Sequence, residues 1–129
     1  MIYLAKRDLE KGLFILKPDA VRQNEIYYAR KRIVEEGMRI TKESSVQFDY
    51  DLVWEFYPDK RDALLPKVAE YLSNGQSLAL IVEGINCFDK LGRLKKEMRE
   101  RFTHSEIYTG THSSDSFEDA VREMQLLGI

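Results

Sequence analysis

Apolar residues follow two rhythms along this chain, short continuous or alternating runs and longer stretches with a period near 3.6 residues, and the two take turns from end to end. Leu13-Phe14-Ile15-Leu16 is a continuous apolar run that stops at Lys17-Pro18, which predicts a buried strand over Leu13–Leu16 delivering a cation at its end. From Gln23 to Glu36, the residues Ile26, Ala29, Ile33 and Val34 form the inner face of a predicted helix, with Gly37 as its stop. Met38, Ile40, Val46 and Phe48 share one parity, which predicts a strand from Met38 to Phe48 with a single buried face. Asp49–Tyr57 and Asp62–Leu72 read as two helices separated by Pro58-Asp59, and Asn74-Gly75 reads as a turn. Leu78–Val82 is a continuous apolar strand, Phe88–Phe102 a charged amphipathic helix, and Glu106–Thr109 a short fourth strand. A final helix presents Phe117, Ala120, Val121 and Met124 on one face with Glu123 at the rim. The order βαβ(αα)βαβα predicts an α+β fold, an antiparallel sheet covered by helices on one side.

Candidate chemistry concentrates in Gly110-Thr111-His112-Ser113-Ser114-Asp115-Ser116-Phe117-Glu118, which sets one of the two histidines among small hydroxyl residues before a helix start. Ser114, Asp115 and Ser116 are all good N-caps, and Glu118 and Asp119 complete two overlapping capping-box patterns. Free amide groups at a helix start favour anions, so a phosphoryl group near His112 would meet donors already oriented. Taken singly, each feature has an ordinary structural reading. His112 fits a polar loop residue, Lys17 a solvated strand edge and Glu123 a surface position on a helix.

Composition narrows the class. At 129 residues, with 43% hydrophobic and 33% charged residues, the chain is one domain able to bury a sizeable core. A net charge of -2 gives no general attraction for nucleic acid, and the basic stretches Arg30-Lys31-Arg32 and Arg93–Arg101 read as solvated helix faces. An RNA-binding sheet would want exposed aromatics, whereas these strand candidates are mainly aliphatic. Cys87 is the only cysteine, which excludes an internal disulfide and suits a reducing compartment. One cysteine and two histidines make no metal cluster of recognisable spacing. There is no apolar stretch long enough for a membrane span, and Met1–Lys11 is too charged for a signal peptide, so a cytoplasmic location is expected.

In combination, four segments resemble the nucleoside diphosphate kinase family. They are Lys17-Pro18-Asp19 at a strand end, Glu83-Gly84-Ile85-Asn86 after the third strand, Lys90-Leu91-Gly92-Arg93, and His112-Ser113-Ser114-Asp115-Ser116 against the family's His-Gly-Ser-Asp-Ser. The similarity runs in order from about Gly12 to Met124. It implies a ferredoxin-like βαββαβ core with additional helices over residues 12–129. Residues 1–11 precede that core as an N-terminal extension, whose Ile2, Tyr3, Leu4 and Leu9 suit pairing along a sheet edge or clasping a neighbouring subunit, and which otherwise reads as a tail. The resemblance also implies a ping-pong kinase in which His112 becomes a phosphohistidine, moving the γ-phosphoryl of a nucleoside triphosphate to a diphosphate acceptor. In that reading Glu123 orients the imidazole, Lys17, Arg93 and Arg99 bind phosphates, Tyr57 stands close to the histidine, and Ser114 bonds the leaving or attacking oxygen. Mg²⁺ is expected to bind through the nucleotide phosphates rather than in a protein cage. The resemblance further implies a homo-oligomer, a dimer or higher.

The chain departs from the family pattern in places that touch ligand binding. Between Arg93 and Arg99 it is shorter by about eleven residues, so a protruding loop with a phosphate-binding threonine is largely missing. Thr109 stands where the family has a sugar-contacting asparagine, and Leu64 where it has a base-stacking aromatic. Ser113 replaces a glycine beside the histidine, which strains the backbone if that position needs a positive φ. Two classes fit these residues: an active kinase with a pared-down nucleotide site, and a non-catalytic nucleotide-binding or regulatory module on the same fold.

Overall fold

The computed structural model describes residues 9–102 and 109–129. In chain order it forms β1 (Leu9–Leu16), α1 (Pro18–Arg22), α2 (Ile26–Glu35), β2 (Arg39–Val46), α3 (Tyr50–Phe56), a 3-10 turn (Pro58–Lys60), α4 (Leu65–Ser73), β3 (Ser77–Ile85), α5 (Cys87–Phe102), β4 (Thr111–Ser113) and α6 (Phe117–Leu127). The strands assemble in the order β2-β3-β1-β4, every neighbouring pair antiparallel. This is the ferredoxin-like arrangement expected from the sequence.

Both faces of the sheet are covered, not one. Phe14, Leu16, Leu80 and Val82 pack against Ala29 and Ile33 of α2 and Leu91, Leu94 and Met98 of α5. Leu13, Ile15 and Ala79 pack on the opposite face against Val53 and Phe56 of α3 and Leu65, Ala69 and Leu72 of α4. The reason is visible in the runs themselves. Successive side chains of a strand point to opposite faces, so an unbroken apolar run needs cover on both sides. Each of Leu13, Phe14, Ile15 and Leu16 is buried essentially completely, at about 1.5–3 kcal/mol of stabilisation per side chain.

Several boundaries differ from the sequence reading. Strand β1 begins at Leu9, four residues ahead of the expected start, and pairs from Leu9↔Ile85 to Leu16↔Leu78; residues 1–8 lie outside the described residues. The helix expected over Gln23–Glu36 is α2 and begins later, at Ile26; ahead of it Pro18 starts a short additional helix, α1, and Asn24 with its left-handed φ of 60° separates the two. Val34, one position past Ile33 and so about 100° around the helix, is exposed rather than inward. The alternation in β2 is broken by a bulge between Ile40 and Lys42. Met38 and Ile40 consequently join the core under α2 and α5, while Val46 and Phe48 join the core under α3 and α4. On α6 the buried positions are Ala120 and Glu123, and Phe117 and Val121 face outward. The strand expected at Glu106–Thr109 falls mostly outside the described residues. Thr109 is described and is not in a strand, and β4 lies further on.

A buried polar knot ties the end of β1 to the entry of β4. The Tyr71 hydroxyl donates to Asp19 Oδ1 and accepts the Gly110 N–H at 3.1 Å, while the Lys17 N–H donates to the Gly110 carbonyl at 2.8 Å. Gly110 takes a φ of 78°, which a residue without a Cβ adopts without penalty. Burial, and then the hydrogen bond to Asp19, push the Tyr71 phenol well up, so it stays a donor. Replacing Tyr71 with Phe is expected to lower unfolding stability by about 1.5–3 kcal/mol, because it strips a buried carboxylate of its donor. The midpoint and slope of urea denaturation measure this; an unchanged midpoint contradicts it.

Candidate active site

Strand β4 stands at the sheet edge beside β1, and its three residues place the chemistry. Ile15 is opposite His112, Phe14 opposite Ser113 and Leu16 opposite Thr111. Ser114 extends the pairing past the strand, its N–H donating to the Leu13 carbonyl and its Oγ accepting the Leu13 N–H, each at 2.9 Å. The histidine expected in a capping loop is therefore held in a strand. Ser113 is in the same strand and is not among the residues with positive φ, so the serine imposes no left-handed strain. Helix α6 begins at the next turn. Of the three possible caps, Ser116 is the one used, accepting the Asp119 N–H at 3.2 Å.

The His112 ring is set on the face of the sheet covered by α3 and α6. Phe56 and Tyr57, at the end of α3, meet it edge-on with ring centroids 5.0 and 5.7 Å away. From α6, Glu123 Oε1 lies 2.9 Å from His112 Nε2. A carboxylate only accepts, so this contact puts the imidazole proton on Nε2 and leaves Nδ1 with a lone pair. Nδ1 has no hydrogen-bond partner among the described residues. Burial lowers the His112 pKa from its ordinary value, opposed by the bond to Glu123 and assisted by the charges of Lys17 and Lys95, so the ring is neutral at pH 7. Glu123 is only 4% exposed, and Arg122 Nη2 approaches its second oxygen at 3.7 Å. Burial holds the Tyr57 hydroxyl protonated, with Glu123 adding to the effect, and it remains a donor.

These groups line a cleft of about 480 Å³. Its walls come from α3 and the following turn (Phe56, Tyr57, Pro58, Asp59), from α5 (Lys95, Arg99), and from β4 to α6 (His112, Ser113, Asp115, Asp119, Arg122, Glu123). Arg99 donates through Nη2 to the Thr111 carbonyl at 3.1 Å. Its Nε and the Ser113 Oγ are buried with no hydrogen-bond partner among the described residues. Unmet donors in a concave site are where a ligand oxygen gains most. Arg122 donates to the Glu55 and Phe56 carbonyls at 3.0 and 3.3 Å, which fastens the end of α3 to α6.

Of the residues singled out in the sequence, His112, Glu123, Tyr57 and Arg99 come together in this cleft. Lys17 is buried at the end of β1, donating to Thr109 Oγ1 at 2.8 Å, and its charge is felt at His112. Thr109 thus engages the lysine. Ser114 is buried against Leu13 and does not line the cleft. Leu64 is exposed at the start of α4, outside the lining. Arg93 is also outside it, 68% exposed on its side chain and 3.9 Å from Glu36. The cause is the continuous helix α5. At 100° per residue, Lys95 and Arg99 share one face, and Arg93 stands far around the axis from Lys95. Sequence reasoning missed Lys95, Asp59, Asp119 and Arg122. Only Lys95 left a signal, its four-residue spacing to Arg99.

Comparison with known proteins places this geometry in context. The family model for nucleoside diphosphate kinase matches residues 10–127. A nucleoside diphosphate kinase of Clostridium perfringens strain SM101 is 32% identical, the match covering 92% of this chain and 90% of that protein. Another, from Caldanaerobacter subterraneus subsp. tengcongensis, is 31% identical over 92% of this chain and 93% of its own length. Among solved structures, the Aquifex aeolicus nucleoside diphosphate kinase matches with a TM-score of 0.82 at 23% identity, covering 92% of this chain and 94% of that one. The Borrelia burgdorferi nucleoside-diphosphate kinase, a transition state mimic with bound vanadate and ADP, matches with a TM-score of 0.78 at 22% identity, covering 93% and 87%. These two likenesses bear on the fold.

The direction of the His112 shift makes a pH prediction. The folded-state pKa is depressed below the ordinary 6.5, so the unfolded chain takes up the proton first. The stability linked to this group is therefore complete above about pH 6.5 and is lost as pH falls toward the folded value. An NMR titration of the imidazole is expected to place the midpoint below 6.5; a midpoint above it contradicts the burial argument.

Proposed function

The chain belongs to the nucleoside diphosphate kinase family of phosphotransferases, and we propose that it transfers the γ-phosphoryl group of a nucleoside triphosphate to a nucleoside diphosphate through His112. The observation that carries this reading is the Glu123-bound, neutral imidazole at the floor of the cleft. Nδ1 attacks the γ-phosphorus, the bond from that phosphorus to the β-phosphate oxygen breaks, and the diphosphate departs with the electron pair. No proton has to leave Nδ1 first. The Glu123 carboxylate accepts the Nε2 proton in its hydrogen bond and offsets the positive charge the ring acquires. A second diphosphate then reverses the sequence, taking the phosphoryl group from His112.

Charge on the transferring oxygens is met by Arg99, by the Tyr57 hydroxyl, and at longer range by Lys17. The acidic side chains at the rim, Asp59, Asp115 and Asp119, fit a divalent cation that arrives on the nucleotide. No group of three or more His, Cys, Asp or Glu among the described residues is arranged to hold a metal by itself. Bound Mg²⁺ would offset phosphate charge, its waters received by those carboxylates. The same reading makes the protein a cytoplasmic homo-oligomer, a dimer or higher, with the residues ahead of β1 as an N-terminal extension. Burial pushes the lone Cys87 thiol up to about 11, which keeps it unreactive. No helix among the described residues is long and apolar enough to cross a membrane.

Incubation with γ-labelled ATP and magnesium is expected to give an acid-labile, base-stable phosphoenzyme that a different nucleoside diphosphate discharges as its triphosphate. His112→Ala abolishes the label, and Glu123→Ala slows its formation by about a hundredfold or more. Absence of label on a protein that demonstrably binds the nucleotide would overturn the reading in favour of a binding module.

A further inference from the structure

Three cations line the cleft, and they are held in different ways. Arg99 is fastened to the Thr111 carbonyl, and Arg122 to the carbonyls of Glu55 and Phe56. Moving either one toward a ligand gives up hydrogen bonds that join secondary structure. Lys95 has no hydrogen bond to any described residue. Its contact is an ion pair with Asp115 at 3.9 Å, and the Asp115 side chain is 79% exposed. A pair so long and so open contributes little to stability. The ammonium is nonetheless well placed, one helical turn before Arg99 on the same face of α5 and with only 22% of its side chain exposed. It is close enough to His112 for its charge to help lower the imidazole pKa.

The cleft also needs a cation that can move. Four carboxylates line it, Asp59, Asp115, Asp119 and Glu123, against three basic side chains, two of them committed to backbone oxygens. We propose that Lys95 is a phosphate-binding residue of this cleft, which leaves Asp115 and engages the terminal phosphates of the bound nucleoside di- or triphosphate. A compact ammonium on a four-carbon stem suits this exchange, since it follows a shifting charge without the fixed fork of an arginine. Helix α5 runs unbroken through the region where the sequence is about eleven residues short of its family, and this uninterrupted turn is what brings Lys95 to the histidine. Phosphate capture passes from a loop to a helix face.

The proposal rests on the kinase reading, and its test separates the two. Binding of a nucleoside monophosphate, diphosphate and triphosphate is measured by calorimetry on the full chain for wild type, Lys95→Ala and Lys95→Arg, with the wild-type phosphoenzyme assay alongside. The alanine variant is expected to keep the wild-type thermal midpoint, to weaken diphosphate and triphosphate binding about tenfold or more, and to change monophosphate binding by less than about threefold. The arginine variant recovers most of the loss. Equal weakening for all three ligands, or none for any, overturns the assignment of Lys95. A wild type that takes no label overturns the kinase reading, while Lys95 is still judged by its phosphate-dependent binding.

Discussion

Three residue pairs between β4 and β1 carry the organisation of the cleft. A strand this short is held by few ladder bonds, and the structure compensates on either side of it. Ser114 exchanges hydrogen bonds with Leu13 at one end, and Gly110 is gripped by Lys17 and Tyr71 at the other. With β4 clamped at both ends, the pleat decides which way His112 points. Opposite Ile15 it faces α3 and α6, while Thr111 and Ser113 face the other way. A slip of one residue would turn the imidazole to the α5 side and leave Glu123 buried without its donor.

The electrostatics follow from that placement. Burial of the imidazole favours its neutral form, and the neutral form is the donor to Glu123, with its other ring nitrogen carrying a lone pair. Burial of Glu123 is tolerated because His112 and Arg122 both address its oxygens. Each group makes the other's environment acceptable, so neither could be replaced alone without an uncompensated buried charge or an unoriented ring. The basic side chains sit on the α5 and α6 walls, and the carboxylates other than Glu123 are the more exposed Asp59, Asp115 and Asp119, an arrangement that suits a polyphosphate arriving with a cation better than a bare anion.

The departures from the family pattern have local causes. Ser113 is accommodated because the position lies in an ordinary strand rather than a left-handed turn. Thr109 is short, yet it is the right length to accept from Lys17. Arg93 leaves the site because the shortened segment closes into a regular helix, which fixes the angular spacing of every residue along it.

The ferredoxin-like core and the pairing of His112 with Glu123, both implied by the family resemblance, and the run Leu13–Leu16 as a buried strand were legible in the sequence, because each rests on motif residues in fixed order or on local periodicity. The contents of each face were less so. The bulge at Thr41 reverses the sidedness of β2, and the left-handed Asn24 delays the start of α2, and both are single-residue backbone events that hydrophobic pattern does not register. The strand character of Thr111-His112-Ser113 was hidden for a related reason, since a three-residue polar segment has no periodicity and acquires its conformation from β1. The sequence by itself determined the two continuous apolar strands, most of the helices, and His112 and Glu123 as candidate partners. Only the tertiary structure decided that Lys95 and Arg99 enter the cleft while Arg93 and Leu64 stay outside, because membership of a site depends on helix phase and docking, which no single segment specifies.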